Sequence, residues 1–273
     1  MITTLAHAND PKVRKESTSG GFTKTFLWYL VHRRVVDKVI LVRSGDGSTF
    51  HPSYLCTSDK SEILTPLTNS VYYPVDPREL ITSLSPHQKY AIVTTPCWAK
   101  WLRNHQQKGE FTHLTLVIVL MCLRTPTDTW TDLVLHQVGV DKKKVKKLIY
   151  RIGSWPGHMY IEVEKRAPIH TEFYPLFDSI SDQFILPKCL ECTLNPMDLG
   201  DLVVGDPWEA SKSLPVGDGE TMVRTCTSLA ENLIYDAQKG GYINFSIISD
   251  EFFDRQWKQL LSKKGEYGKF GTP

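Results

Sequence analysis

The chain has 273 residues, 41% of them hydrophobic and 11% aromatic, enough to bury a large core without disulfide support. A formal charge of +2 carries neither the basic excess of a nucleic-acid-binding protein nor an acidic tail. The longest apolar run, Leu114–Leu123, is about half of the ~20 residues a membrane helix needs.

Met1–Glu16 shows no charged-then-apolar leader pattern, so a cytoplasmic location is expected. Next, "ESTSGGF" at Glu16–Phe22 opens an apolar helical pattern through Phe22, Phe26, Leu27, Leu30 and Val31, and a β-branched strand follows at Val35–Val42. The Ser-Gly stretch either cradles an anion on backbone N–H groups or simply caps the helix. A polar stretch, Arg43–Leu55, leads to a helix-like "DPRELITSLSP" and then to the strand "KYAIVTT", which stops at Pro96-Cys97. A further helix begins at Cys97, and the β-branched run 114–121 reads as a buried strand ending at Cys122. The periodicity of Val145, Leu148 and Ile149 predicts a basic helix over Asp141–Arg151, with Lys142, Lys143, Lys144, Lys146 and Lys147 on its solvated side. Strands are expected over "HMYIEVEKR" and "IHTEFYPLF", then a cysteine-bearing loop, "LPKCLECTLNPMDLGDLVVGDPW", and a C-terminal helical section from Ser228.

This alternation predicts an α/β fold, a mixed or mostly parallel sheet with flanking helices, in one domain spanning 1–273. Six cysteines in a reducing compartment are poorly explained as a disulfide framework. Cys97 and Cys122 follow strands, and Cys189 and Cys192 form a C-x-x-C. The carboxyl ends of parallel strands share one edge, where four thiolates would suit an iron–sulfur cubane or a tetrahedral zinc. Alternatively, Cys97 and Cys122 are buried apolar groups and only the C-x-x-C matters. A non-enzymatic, zinc-stabilised scaffold is the competing reading. The nine histidines form no H-x-x-x-H or H-E-x-x-H pair, and no G-x-S-x-G or Walker sequence is present. His158, after "SWPG", is the candidate proton donor. Asp201 and Asp206 are expected to brace their loop by accepting backbone N–H bonds, and Trp208 to shield the site from water.

Taken in order, Ser19-Gly20-Gly21, Thr95-Pro96-Cys97, Cys122, Cys189/Cys192 and Gly205-Asp206 with Trp208 resemble the β subunit family of coenzyme F-420 hydrogenases and dehydrogenases, which includes 7-hydroxymethyl chlorophyll a reductase. The resemblance spans roughly residues 14–240. It implies an oxidoreductase that carries FAD beside a 4Fe-4S cluster and moves electrons between a donor, or the deazaflavin coenzyme F-420, and a small-molecule substrate. On that basis Cys97, Cys122, Cys189 and Cys192 hold the cluster. Ser17, Ser19, Gly20, Gly21 and Thr23 face the FAD diphosphate or ring edge, and Thr94 and Thr95 the flavin's polar atoms. Met1–Lys15 carries no cysteine. One cluster and an external donor are therefore expected: a ferredoxin, a sister subunit or reduced deazaflavin, with the basic helix as a docking face for an acidic donor.

Overall fold

The computed structural model describes residues 1–45, 51–178 and 180–267. In chain order the elements are β1 (Thr3–Ala8), α1 (Pro11–Glu16), α2 (Phe22–His32), β2 (Lys38–Arg43), β3 (Ser53–Thr57), α3 (Lys60–Leu64), α4 (Arg78–Thr82), β4 (Tyr90–Thr94), α5 (Pro96–Gln106), β5 (Leu114–Leu120) and α6 (Asp128–Gln137). There follow β6 (Val145–Ile152), β7 (His158–Val163), β8 (Ile169–Glu172), α7 (Phe173–Asp178), α8 (Pro187–Leu190), β9 (Leu202–Gly205), β10 (Thr221–Thr225), α9 (Ser228–Lys239), β11 (Ile243–Ile248) and α10 (Asp250–Tyr267). Part of the expected polar stretch before β3, residues 46–50, lies outside the described residues.

Eight strands form one mixed sheet in the order β11-β1-β10-β9-β5-β4-β2-β3. Its centre, β9-β5-β4-β2, is parallel and the flanks are antiparallel. The fold is therefore α/β, as the alternation predicts. β5 shows why its sequence is apolar throughout. Leu116 and Ile118 face the core formed with α2 and α9, while Val117 and Val119 face the one under α5, so both sides of the pleat are covered. A third cluster seats Phe253 of α10 on Leu5, Val203 and Met222.

A separate antiparallel sheet, β6-β7-β8, packs its own core against α6 and α7 through Trp130, Tyr150, Ile161 and Phe173. Here one expectation is corrected. The basic run is not a helix: Lys142–Lys144 form a single 3-10 turn capped by Asp141, and Val145–Ile152 is the edge strand β6. Val145, Leu148 and Ile149 fit either period, but Leu148 to Arg151 are all buried, which a one-sided amphipathic helix would not allow. Lys143 and Lys144 on the turn and Lys146 on the strand remain exposed, the last as is common on edge strands that must not recruit another chain. Five other strands lack a sequence-level expectation: β1 at the N-terminus, β3 at the end of the polar stretch, β9 within the cysteine-bearing loop, β10 after it, and β11 inside the C-terminal helical section. No helix among the described residues is long and apolar enough to cross a membrane.

Candidate functional site

Since β4, β5 and β9 run parallel, Thr94, Leu120 and Gly205 end on one edge of the sheet. The chain then turns away at Thr95-Pro96, Met121-Cys122 and Asp206. Proline opens α5 because its missing N–H would be unpaired there in any case. A cavity of about 870 Å³ lies along this edge, at the upper end of the ~300–1,000 Å³ usual for ligand sites. Its walls come from the α1–α2 turn, the strand ends, the segment 68–76, Arg151 of β6, Tyr174 of α7 and the inner face of α10.

The α1–α2 turn is held by its own hydroxyls and by a distant turn. Ser17 Oγ donates to the Val13 carbonyl at 2.5 Å, and Ser19 Oγ donates to Asp206. Thr221 Oγ1 donates to the Ser19 carbonyl at 2.5 Å. Gly20 and Gly21 both have positive φ, +71° and +73°. A Cβ on Gly20 would run into the Gly219 carbonyl, and one on Gly21 would sit 2.9 Å from Ser17 Oγ and 3.0 Å from the Val13 carbonyl. Both glycines thus serve chain-to-chain packing. Gly21 is also the N-cap of α2, whose first-turn N–H groups have no intrahelical acceptors. The Thr23 hydroxyl, on the cavity wall, has no partner among the described residues.

Thr94 and Thr95 line the cavity too, but Thr94 Oγ1 is paired with the Tyr54 hydroxyl at 2.9 Å and Thr95 Oγ1 with Cys97 Sγ at 3.1 Å. Among the described residues no backbone N–H donates to the Asp206 carboxylate. It accepts from Arg151 at 2.7 Å, from the Tyr174 hydroxyl at 2.9 Å and from Ser19. Burial raises the Asp206 carboxyl, but the Arg151 charge and the bonds from Arg151, Ser19 and Tyr174 outweigh it and hold the group below the usual carboxylate range. Asp201, at the other end of β9, does accept a backbone N–H, from Val117 at 2.8 Å, and also pairs with Arg103 at 3.0 Å. Trp208 lines the cavity and packs on Trp155 and Tyr174, with ring centroids 4.5 and 4.7 Å apart.

Cys97 and Cys122 are both on the cavity wall. Cys189 in α8 and Cys192 just after it are carried to the same place because the Leu186 N–H donates to the Thr125 carbonyl at 3.0 Å and Ile185 bridges Pro126. Burial pushes the Cys122 thiol up to about 12, with the neighbouring Cys189, Cys97 and Cys192 adding to the rise and Lys264 opposing it. The four sulfurs are therefore electrostatic neighbours. Among the described residues, however, no three Cys, His, Asp or Glu side chains stand close enough to hold one metal ion. Lys264 Nζ lies 3.6 Å from Cys192 Sγ. Cys56 on β3 and Cys226 after β10 lie apart from this group.

His158 is not part of the cavity wall. It sits at the start of β7, 2.8 Å from His170, and burial together with His170 lowers its pKa. Sequence reasoning also overlooks Lys24, Asn69 and Arg151, all buried and all on the wall. A lone lysine in the first turn of a helix otherwise without Lys, Arg, Asp or Glu is the one signal that points to any of them.

Sequence profiles of the coenzyme F420 hydrogenase/dehydrogenase beta subunit match this chain twice, the N-terminal one over residues 3–81 and the C-terminal one over residues 87–251. The chain belongs to that family. The match extends beyond the range 14–240 at both ends, taking in β1 and all of β11. A chain of the F420-reducing [NiFe] hydrogenase complex from Methanosarcina barkeri, solved as a xenon derivative, shares the fold with a TM-score of 0.72 at 15% identity, over 97% of this chain and 90% of that one. The family's two segments meet at the cavity: the first supplies the α1–α2 turn and residues 68–76, the second the strand ends and cysteines.

Proposed function

We propose that this family member is an electron-transferring oxidoreductase that binds FAD in the cavity and a 4Fe-4S cluster on Cys97, Cys122, Cys189 and Cys192. The observation that carries the reading is a shared wall. Cys97 and Cys122 face the cavity while Cys122 also senses Cys189 and Cys192, so a cluster there would lie against the cavity's ligand.

The donor set fits a multinuclear cluster in type, as four cysteine thiols. A tetrahedral zinc draws its sulfurs to ~2.3 Å from one point, whereas a cubane places each cysteine on its own iron. Burial and mutual repulsion keep Cys122 protonated on its own, so its ionisation would come with metal binding and release a proton. Lys264 would place a positive charge at the edge of that set.

The cavity fits a flavin in size and in donors. The first turn of α2 aims free N–H groups where a diphosphate would gain from the helix dipole, and Thr23 offers a free hydroxyl beside them. Ser17, Ser19, Gly20 and Gly21 would act by shaping that turn, since their hydroxyls and Cα positions are committed to the protein itself. Thr94 and Thr95 would present their backbone and methyl groups. Trp208, stacked with Trp155 and Tyr174, would exclude water from one side. Bound flavin supplies the exchange between two-electron and one-electron chemistry. Electrons would come from outside the chain, from a ferredoxin, a sister subunit or reduced coenzyme F-420, and would serve a small-molecule substrate.

Anaerobic purification tests the reading. The expected sample is brown, shows flavin bands, and holds about four iron and four sulfide per chain. Zinc without iron, in a protein that takes up no flavin, would instead establish the scaffold.

A further inference from the structure

Lys24 is the third residue of α2, 5% exposed, on the cavity wall. Its Nζ donates to the Thr65 carbonyl at 3.0 Å and to Asn69 Oδ1 at 2.5 Å. The orientation of Asn69 is fixed independently, because its Nδ2 donates to the Glu16 carbonyl at 2.9 Å and the Arg151 carbonyl at 2.8 Å. Only the amide oxygen is left for the lysine. An ammonium carries three N–H bonds, and both acceptors here are neutral. Among the described residues no third acceptor and no carboxylate within ion-pair distance completes the shell.

This contrasts with Arg151, which like Arg124 is another buried cation on the wall. Arg151 is matched by Asp206 at 2.7 Å. A charge buried against neutral groups is costly, and burial accordingly pushes Lys24 down to about 7, with Glu16 acting in the opposite direction. Leucine or methionine at this buried position would avoid that cost. Buried, strongly perturbed ionisable groups in a cavity are where a ligand's charge is met.

We propose that Lys24 is a cationic contact of the cavity, meeting the negative charge that a bound flavin-type ring gains on reduction. This rests on the flavin reading above. With its two fixed N–H bonds holding the side chain in place, the remaining N–H is available to the ring, and the ammonium favours the reduced over the oxidised ligand without any rearrangement of the wall. The helix N-terminus is left to the phosphates, so the two contacts are separable.

The test is a comparison of oxidised and reduced FAD on the full chain under anaerobic conditions. In Lys24→Gln, binding of reduced FAD should weaken about tenfold or more relative to oxidised FAD, read as a fall in the midpoint potential of the bound flavin. Lys24→Met should show the same fall and decides the matter if the glutamine variant folds poorly. Lys24→Arg should restore much of the potential. An unchanged potential overturns the proposal, whether both forms bind as before or both weaken equally, the latter being the mark of a phosphate contact or a structural role. A wild-type protein that takes up no flavin overturns the cofactor reading itself, and is recognised by the absence of flavin absorbance before any variant is made.

Discussion

Asp206 shows how much one carboxylate does at this site. It joins the α1–α2 turn through Ser19, the second sheet through Arg151, and α7 through Tyr174. Removing it would leave Arg151, 1% exposed, without its countercharge, so Asp206→Ala should cost about 3–5 kcal/mol in urea denaturation. The pH dependence follows from the lowered carboxyl. Its stabilising contribution is complete above the unfolded value of ~3.9 and is lost as pH falls through the folded one. Urea midpoints measured from about pH 5 to about pH 2 should therefore fall more steeply in wild type than in Asp206→Asn. Among the cysteines, Cys122→Ala and Cys189→Ala should lose most bound iron while Cys56→Ala keeps it, by metal analysis of anaerobic samples. Full iron retention in Cys122→Ala would remove that residue from the site. The cysteines were legible in the sequence because thiols that follow strands or pair as C-x-x-C in a reducing compartment carry the chemistry of metal binding in their residue type. Lys24 and Asn69 were not, since their meaning comes from burial and from partners 41 to 82 positions away.

The α1–α2 turn separates local from long-range information among the elements. Its Ser-Gly pattern marks a helix start, but the residues that force glycine on it are Val13, Ser17 and the remote Gly219. Gly20→Ala should therefore destabilise more than Gly109→Ala. Gly109, at φ +82°, has nothing within 4 Å of an added Cβ and should lose only the left-handed backbone cost of about 1–2 kcal/mol. Equal losses in thermal melts would mean that the Gly20–Gly219 contact yields freely. For the same reason Gly21→Val is a poor probe of flavin binding, because it disturbs α1 first. The misread basic run has a different cause. Val145, Leu148 and Ile149 satisfy a helical period over one turn, and only the pairing of β6 with β7 reveals the strand. β1 was silent because two of its buried residues are threonines and its partners, β10 and β11, lie more than 200 positions away. Elements fixed by local pattern, such as α2, α5 and β5, were legible; those fixed by pairing were not.

At the scale of the whole molecule, the four proposed ligands tie together segments that otherwise touch lightly. Cys97 and Cys122 stand at the ends of strands buried on both faces, while Cys189 and Cys192 sit on and after α8, a helix of four residues that cannot sustain itself. Between them run the second sheet and its helices. Apart from sulfur, α8 is anchored near β5 by the Leu186 N–H on the Thr125 carbonyl, the Thr127 N–H on the Phe184 carbonyl and the Pro126–Ile185 bridge, and it packs against α10, where Lys264 reaches Cys192. Taking iron away would leave the four cysteines with no metal joining them, with burial opposing ionisation at Cys122 and Cys189. The sheet would not depend on them, because β4 and β5 are held by strand pairing and by two apolar layers. Chelation under anaerobic conditions should therefore raise amide exchange about tenfold or more over residues 186–192 and 260–264, and leave residues 90–94 and 114–120 protected. A uniform rise across all four segments would show that the metal supports the global fold. No rise in residues 186–192 would show that α8 is secured by its backbone bonds alone, and would count against a cluster that includes Cys189 and Cys192.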